Sequence, residues 1–125
     1  MEGRNLDTIR SHRDLVVWQL GMELAVAVYD LVKSFPKSEL YGMTSQLTRA
    51  AVSVPANIAE GHARTSRKDY AHFVAIARGS LMETETYLML AARLGYLSEA
   101  QAEPTLQLIT RISKMLLSLR NKLTQ

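Results

Sequence analysis

The chain contains no cysteine among its 125 residues, so it forms neither a disulfide nor a zinc site or nucleophile based on a thiolate. Glycine and proline are scarce, at six and three residues, and no stretch alternates polar and apolar residues over the length of a strand. No apolar run approaches the roughly 20 residues that a membrane-spanning helix needs, and the charged first residues do not resemble a signal peptide. We therefore expect one helical domain in the cytoplasm, with no membrane partner.

The spacing of apolar residues predicts that the first two helices lie within the first half of the chain. One helix is expected over residues 15–34, with Asp14 as its N-cap and Phe-Pro after its end. The next is expected over residues 40–60, where Gly61 has the position of a C′ glycine.

Two further helices are predicted in the second half. The third follows Ser66, an N-cap residue, and reaches residue 94, just before a glycine. The fourth begins after Ser98, or near Glu103 with Pro104 in its first turn.

Short connections between these helices favour antiparallel neighbours. We therefore predict an all-α fold, an up-down-up-down four-helix bundle formed by a single domain over residues 13–125. Residues 1–12 are expected to form a flexible N-terminal arm.

The second helix carries a proline in its interior, which costs roughly 3 kcal/mol. Its apolar and polar stripes continue in register through Pro55, so the proline is predicted to kink the helix rather than end it. A third face of this helix is small and weakly apolar. Either another helix of the same subunit or a neighbouring subunit is expected to cover it. This face comprises Thr44, Thr48, Val52, Pro55 and Ala59.

The segments YGMTSQLTRAAVSVPANIAEGHAR, YAHFVAIARGSLMETE and LGYL carry a family resemblance, as does VVWQLGMELAVAVYDL in the first helix. The most specific part is S-x-P-x-N-I-A-E-G, in which we assign structural roles to Pro55, Asn57 and Gly61. The chain resembles the four-helix-bundle proteins encoded in intervening sequences of bacterial 23S ribosomal RNA genes. The accessory variability proteins of diversity-generating retroelements resemble the same family.

This resemblance implies an assembly and a class of partner. It implies a ring-like homopentamer that binds RNA or DNA through basic surface residues, and in the retroelement branch a reverse transcriptase as partner. No enzymatic activity is established for the family.

The chain has a net charge of +3, and its cations cluster in two places. Clustered cations neutralise phosphates, although the first cluster would also suit a solvated turn and the second would complement a helix dipole. The first cluster lies on and after the second helix and comprises Arg49, Arg64, Arg67 and Lys68. The second lies on the fourth helix, where no acid follows Glu103, and comprises Arg111, Lys114 and Lys122.

Other chemistries find less support in the residues. The motif R-K-D-Y-A-H resembles the active-site motif of helical metal-independent ribonucleases, but Arg67 and His72 are about 140° apart around a helix and are not expected to share a face. There is no E-x-x-H pair for a di-iron site and no glycine-rich phosphate loop. We expect no metal, cofactor or catalytic residue. Six aromatic residues are assigned to the core rather than to base stacking: Trp18, Tyr29, Tyr70, Phe73, Tyr87 and Tyr96.

The most consistent function is therefore non-catalytic binding of structured RNA or DNA by a basic homo-oligomer. Two alternatives remain open. One is an oligomeric protein-interaction scaffold that does not bind nucleic acid, and the other is a ribonuclease that depends on His72.

Overall fold

A computed structural model describes residues 9–125 of the chain. Their helices are α1 (Val16–Leu31), α2 (Met43–His62), α3 (Arg67–Arg93) and α4 (Glu99–Leu123), with single 3₁₀ turns at His12–Asp14, Val32–Ser34 and Lys37–Glu39. Over this part of the chain there is no β-strand. The prediction of an all-α fold with four helices is confirmed.

Asp14, which was predicted to be the N-cap of the first helix, has a different role in the structure. The Asp14 carboxylate accepts from the backbone N–H groups of Arg10 (2.9 Å) and Ser11 (3.4 Å), which precede it. It closes the 3₁₀ turn, while Leu15 occupies the N-cap position of α1 without a side-chain hydrogen bond. The assignment of Asp14 as the helix N-cap was therefore wrong. Of the arm predicted over residues 1–12, residues 1–8 lie outside the described residues, and His12 begins the turn.

The start of α2 is held by a side chain from outside the helix. Glu39 Oε1 accepts from the backbone N–H of Met43 at 3.1 Å, and Glu39 Oε2 accepts from the hydroxyl of Tyr96 at 2.8 Å. Ser34 donates to the carbonyl of Tyr96 at 3.2 Å. These hydrogen bonds join the α1–α2 connection to the α3–α4 connection at one end of the molecule.

Gly61 lies inside α2, which ends at His62 with Ala63 as its C-cap, so its assignment as a C′ residue was wrong. Its φ angle is not positive, so it is not needed for a left-handed turn. Gly61 is buried, and a Cβ atom at this position would lie 2.8 Å from the Cβ of Phe73. The glycine therefore allows the end of α2 to approach the start of α3 closely.

The predicted cap at the start of α3 is confirmed, because the Ser66 hydroxyl accepts from the N–H of Asp69 at 3.0 Å. The helix ends at a Schellman motif, in which Gly95 has a φ of 80° and the N–H of Tyr96 donates to the carbonyl of Ala91 at 2.9 Å.

Ser98 caps α4 through a reciprocal capping box with Gln101, so α4 begins at Glu99. The alternative start near Glu103 was wrong. Pro104 lies inside the helix, where it removes one backbone hydrogen bond in the second turn.

The four helices close a cycle in which α1 and α3 each contact both α2 and α4. Fully buried aliphatic side chains from all four helices fill the centre, including Leu24, Leu47, Leu81 and Ile109. The apolar stripe predicted on α2 is buried from Met43 to Ile58, whereas Leu40, before the helix, is 53% exposed. No helix within residues 9–125 is long and apolar enough to span a membrane.

Pro55 lies inside α2, as the register of the stripes predicted, and it is buried. It packs on Gly21 of α1, where a Cβ atom would lie 3.3 Å from the Cβ of Pro55. The proline therefore lies at a close approach of α1 and α2 within one subunit. Val52, three residues before Pro55 on the same face, remains 42% exposed, so this third face is only partly covered within one subunit.

Asn57 lies where polar side chains join α2 to α3. Its amide nitrogen donates to the carbonyl and to the hydroxyl of Ser53, each at 2.8 Å. The Ser53 hydroxyl in turn contacts the Ser80 hydroxyl of α3 at 2.8 Å. Because each of these half-buried groups has a partner, the contact costs little desolvation energy.

The aromatic residues are only in part core residues. Trp18, Tyr70, Tyr87 and Tyr96 are half-buried and pack against the core, whereas Tyr29 is 53% exposed. The assignment of Tyr29 to the core was therefore wrong.

Candidate nucleic-acid interface

The side chains predicted to contact phosphates all lie on the surface. Each of the following residues is exposed: Arg49, Arg64, Arg67, Lys68, Arg111, Lys114 and Lys122. Their exposure makes these cations accessible to a phosphate, but they differ in whether a neighbouring group already pairs with them.

Arg64 follows the end of α2 and is already paired. Its guanidinium donates to Glu60 Oε1 at 2.9 Å, one turn earlier. The same guanidinium lies 4.6 Å from the centre of the Phe73 ring, in cation–π geometry. The carboxylate partly neutralises this charge, so Arg64 contributes less to an anion-binding surface than an unpaired cation would.

Arg67 links the two predicted clusters. Its side chain donates to the backbone carbonyls of Lys122 and Leu123, near the end of α4. The last carbonyls of a helix have no partner within the helix and carry partial negative charge, so an arginine is well suited to cap them. This contact places the start of α3, with Lys68, beside the end of α4, with Lys122.

A groove runs between α3 and α4 from this junction, and we call it the α3–α4 groove. Its first part has a volume of about 630 Å³ and ends at the last residues of α4. A second hollow continues along the same two helices, and Arg120 lines both parts. The first part is lined by Arg67, Lys68, Ala71, His72, Ala75, Arg120 and residues 123–125, and the second by Ala75, Arg78, Gly79, Met82 and Arg120.

The groove is basic along its length. Arg67, Lys68 and Arg120 line its first part, and Arg78 joins Arg120 in the second. No aspartate or glutamate lines either part. Several cations without an intervening acid create a positive potential, which low-dielectric walls strengthen in a cleft.

Two of these cations were absent from the predicted set. Arg120 lies off the stripe that Arg111, Lys114 and Lys122 form on α4, and Arg78 is isolated in the middle of α3. The absence of acid after Glu103 was the signal that could have drawn attention to Arg120. For Arg78 there was no comparable signal, because its importance depends on the neighbouring helix.

Arg67 and His72 were expected not to share a face of α3, yet both line the first part of the groove. Both can line the groove although they are about 140° apart around the helix, because Arg67 stands at the first residue of α3, from which its long side chain reaches α4. Its guanidinium is engaged by backbone carbonyls, so it is not positioned as a free group that would stabilise a phosphorane.

Three other predicted cations, Arg49, Arg111 and Lys114, lie apart from the end of the groove where α3 begins and α4 ends. Arg49 lies about 20 Å before the end of α2 along the helix axis, and Lys114 about 12 Å before Lys122 along α4. Arg111 already has an interaction partner. The structure thus brings Arg67, Lys68 and Lys122 together and leaves Arg49 apart.

One ionisable group near this end is perturbed by burial. Tyr70, in the first turn of α3, packs beside Gly61 and has its ring 5.9 Å from that of His62. Burial raises the pKa of Tyr70 to about 12, because desolvation disfavours the phenolate. In residues 9–125 no three histidine, aspartate or glutamate side chains are grouped so as to hold a metal ion.

Comparison with known proteins places the chain in a family. A family model described as 23S rRNA-intervening sequence protein matches residues 13–118. The chain belongs to this family. The matched part contains Arg67, Lys68 and Arg78, whereas Arg120 and Lys122 lie just beyond it.

A solved structure agrees with this assignment. The crystal structure of a protein with unknown function from the S23 ribosomal protein family of Bacteroides thetaiotaomicron has a TM-score of 0.78 and 32% sequence identity. The match covers 84% of this chain and 98% of that one. No curated protein matches the chain.

Proposed function

We propose that this member of the 23S rRNA-intervening sequence protein family binds structured RNA or DNA without catalysing a reaction. The observation that supports the proposal best is the contact of Arg67 with the carbonyls of Lys122 and Leu123. It joins two basic clusters that are distant in sequence into one positive end. Lys68 and Lys122 are the exposed cations of that end and would contact phosphates.

The proposed active form is a homo-oligomer, a pentamer of up-down-up-down bundles, located in the cytoplasm. An exposed apolar stripe on α1 supports assembly, since Met22, Val26 and Tyr29 are 44%, 69% and 53% exposed at helical spacing. We propose this stripe as the contact between subunits. Repetition of the basic end around a ring would add avidity for a long polyanion, and in a retroelement setting a reverse transcriptase is the proposed protein partner.

The test is fluorescence anisotropy with a folded RNA hairpin and a duplex DNA at salt concentrations from about 50 to 200 mM. We expect the affinity for both to fall steeply as salt rises. The double variant Lys68→Glu/Lys122→Glu should bind at least about tenfold more weakly at the lowest salt.

A matched control is available at the opposite end of the molecule. Lys37 and Arg93 are exposed near the contact between Ser34 and Tyr96, about 40 Å from the start of α3 along that helix. Lys37→Glu/Arg93→Glu changes the net charge equally and should bind more strongly than the first variant. Equal losses in both variants would show that net charge rather than the basic end determines binding.

A protein scaffold that does not bind nucleic acid is the second candidate, and the exposed stripe on α1 favours it equally. It predicts a stable oligomer that fails to bind either nucleic acid even at the lowest salt. That result, obtained with protein shown to be folded and assembled, would refute the proposed nucleic-acid function.

A further inference from the structure

Arg78 is a half-buried arginine whose hydrogen-bonding capacity is not met. It lines the second part of the α3–α4 groove, and its Nε is shielded from solvent without an acceptor. A buried N–H of a charged group without an acceptor lowers stability, so such groups are rare in folded proteins. An anion that drew the guanidinium a short way into the groove would relieve this deficit.

Arg120 stands on the opposite wall of the same hollow, on α4. Within the part of the chain that the structure describes, neither arginine forms an ion pair with a carboxylate. Two guanidinium groups that share a hollow without an acid repel one another, and a bound phosphate would reverse that effect. Arginine is the side chain best suited to phosphate, because its planar fork donates two parallel hydrogen bonds.

The shape of the groove restricts which nucleic acid can reach these arginines. The groove lies between two packed helices, whose axes are typically 8–10 Å apart, so a duplex is too wide to enter it. Small apolar side chains, Ala71 and Ala75, line the groove between the cations. A positively charged groove that follows one backbone is the usual arrangement for binding single strands.

We propose that the α3–α4 groove binds a single-stranded segment of nucleic acid, with one phosphodiester held between Arg78 and Arg120. This inference rests on the proposed function and specifies its ligand: the groove takes an unpaired segment of a structured RNA or DNA, while Lys68 and Lys122 contact phosphates at the groove's outer end. Because all the contacts are to the backbone and to apolar walls, base preference is weak.

The experiment compares an unstructured oligouridine RNA and an oligothymidine DNA with a fully paired duplex, all at one low salt concentration. Arg78→Gln and Arg120→Gln should each weaken binding of the single strands about tenfold, the effect of losing one charge-assisted contact. Duplex binding should change less than about twofold. Arg93→Gln, near the other end of α3, is the matched control and should leave all affinities unchanged.

Arg120 is exposed, so its substitution tests the proposal even if Arg78→Gln lowers stability. Arg78→Lys adds a second test, because it keeps the charge but removes the planar fork, and it should restore only part of the affinity. An NMR titration of the arginine Nε–H resonances gives a direct measurement, in which the Arg78 signal should shift on addition of oligouridine.

Three results would overturn the inference. The first is that Arg78→Gln and Arg120→Gln both leave single-strand binding unchanged while Lys68→Glu/Lys122→Glu still weakens it. In that case the proposed function would hold, but the groove would not be the binding site. The second is an equal loss for single strands and duplex. The third is no binding of any nucleic acid by the unsubstituted protein, which would refute the proposed function as well. Preference between RNA and DNA strands would identify the natural source of the phosphodiester.

Discussion

Substituting alanine at Gly61 is the sharpest test of the packing between α2 and α3. The new Cβ would lie 2.8 Å from the Cβ of Phe73, 3.1 Å from Cδ1 of Tyr70 and 3.3 Å from the Tyr70 carbonyl oxygen. Two of these three atoms belong to the backbone or to a Cβ, so the helices themselves must move apart. Overpacking of this kind costs about 1–3 kcal/mol.

The same substitution has a favourable component, because alanine is about 1 kcal/mol better than glycine within a helix. The net effect expected for Gly61→Ala is therefore a loss of up to about 2 kcal/mol in the free energy of unfolding. Replacing Phe73 with alanine should not rescue this loss, because the closest contact is with the Cβ that alanine retains.

Gly79→Ala is the matched control, since Gly79 also lies inside a helix but its added Cβ would meet nothing within 4 Å. This variant should gain about 0.5–1 kcal/mol. Urea denaturation at one fixed protein concentration measures both changes and removes the effect of mass action on an oligomer. If Gly61→Ala stabilised the protein as much as Gly79→Ala does, the close approach inferred at Gly61 would be refuted.

Two further predictions concern hydrogen bonds between distant segments. Arg67→Ala should lower the thermal unfolding midpoint, measured by circular dichroism, because it leaves carbonyls at the end of α4 without their donor. Lys68→Ala, the control, should leave the midpoint unchanged. Equal midpoints for the two variants would argue against the cap that Arg67 forms on α4. Hydrogen bonds from the Met43 N–H and from Tyr96 lower the pKa of Glu39, so the ionised carboxylate stabilises the folded state. This stability is fully present above the ordinary carboxyl pKa of 4.5 and is lost as pH falls through the lower folded value. Urea midpoints measured from pH 6 to pH 3 should therefore fall less steeply for Glu39→Gln, and parallel curves would contradict the assignment.

Local features of the chain predicted the helices well. Ser66 and Ser98 mark true helix starts because a cap requires only a hydroxyl and an N–H three residues later. Asp14 and Gly61 are equally suitable residue types for an N-cap and a C′ position, but neither occupies that position in the structure. Asp14 finds donors before it in the chain, and Gly61 is required by a neighbouring helix, so neither role follows from local spacing.

The candidate site was only partly accessible to the same reasoning. Lys68 and Lys122 could be selected as exposed cations because helical periodicity places them on polar stripes. Their proximity depends on the contact of Arg67 with the end of α4, which joins segments more than fifty residues apart. The importance of Arg78 depends likewise on Arg120, across the groove.

The amino-acid sequence by itself determined the fold class, the buried stripes and the helical register through Pro55. The reason is that apolar residues on the buried face of a helix recur about every 3.6 residues, a period that can be read from the sequence alone. Only the tertiary structure decided that Gly21 accommodates Pro55, that Gly61 admits Phe73 and that Arg67 caps α4. These roles arise where helices meet, and the partners on each side are set by packing between residues far apart in the chain.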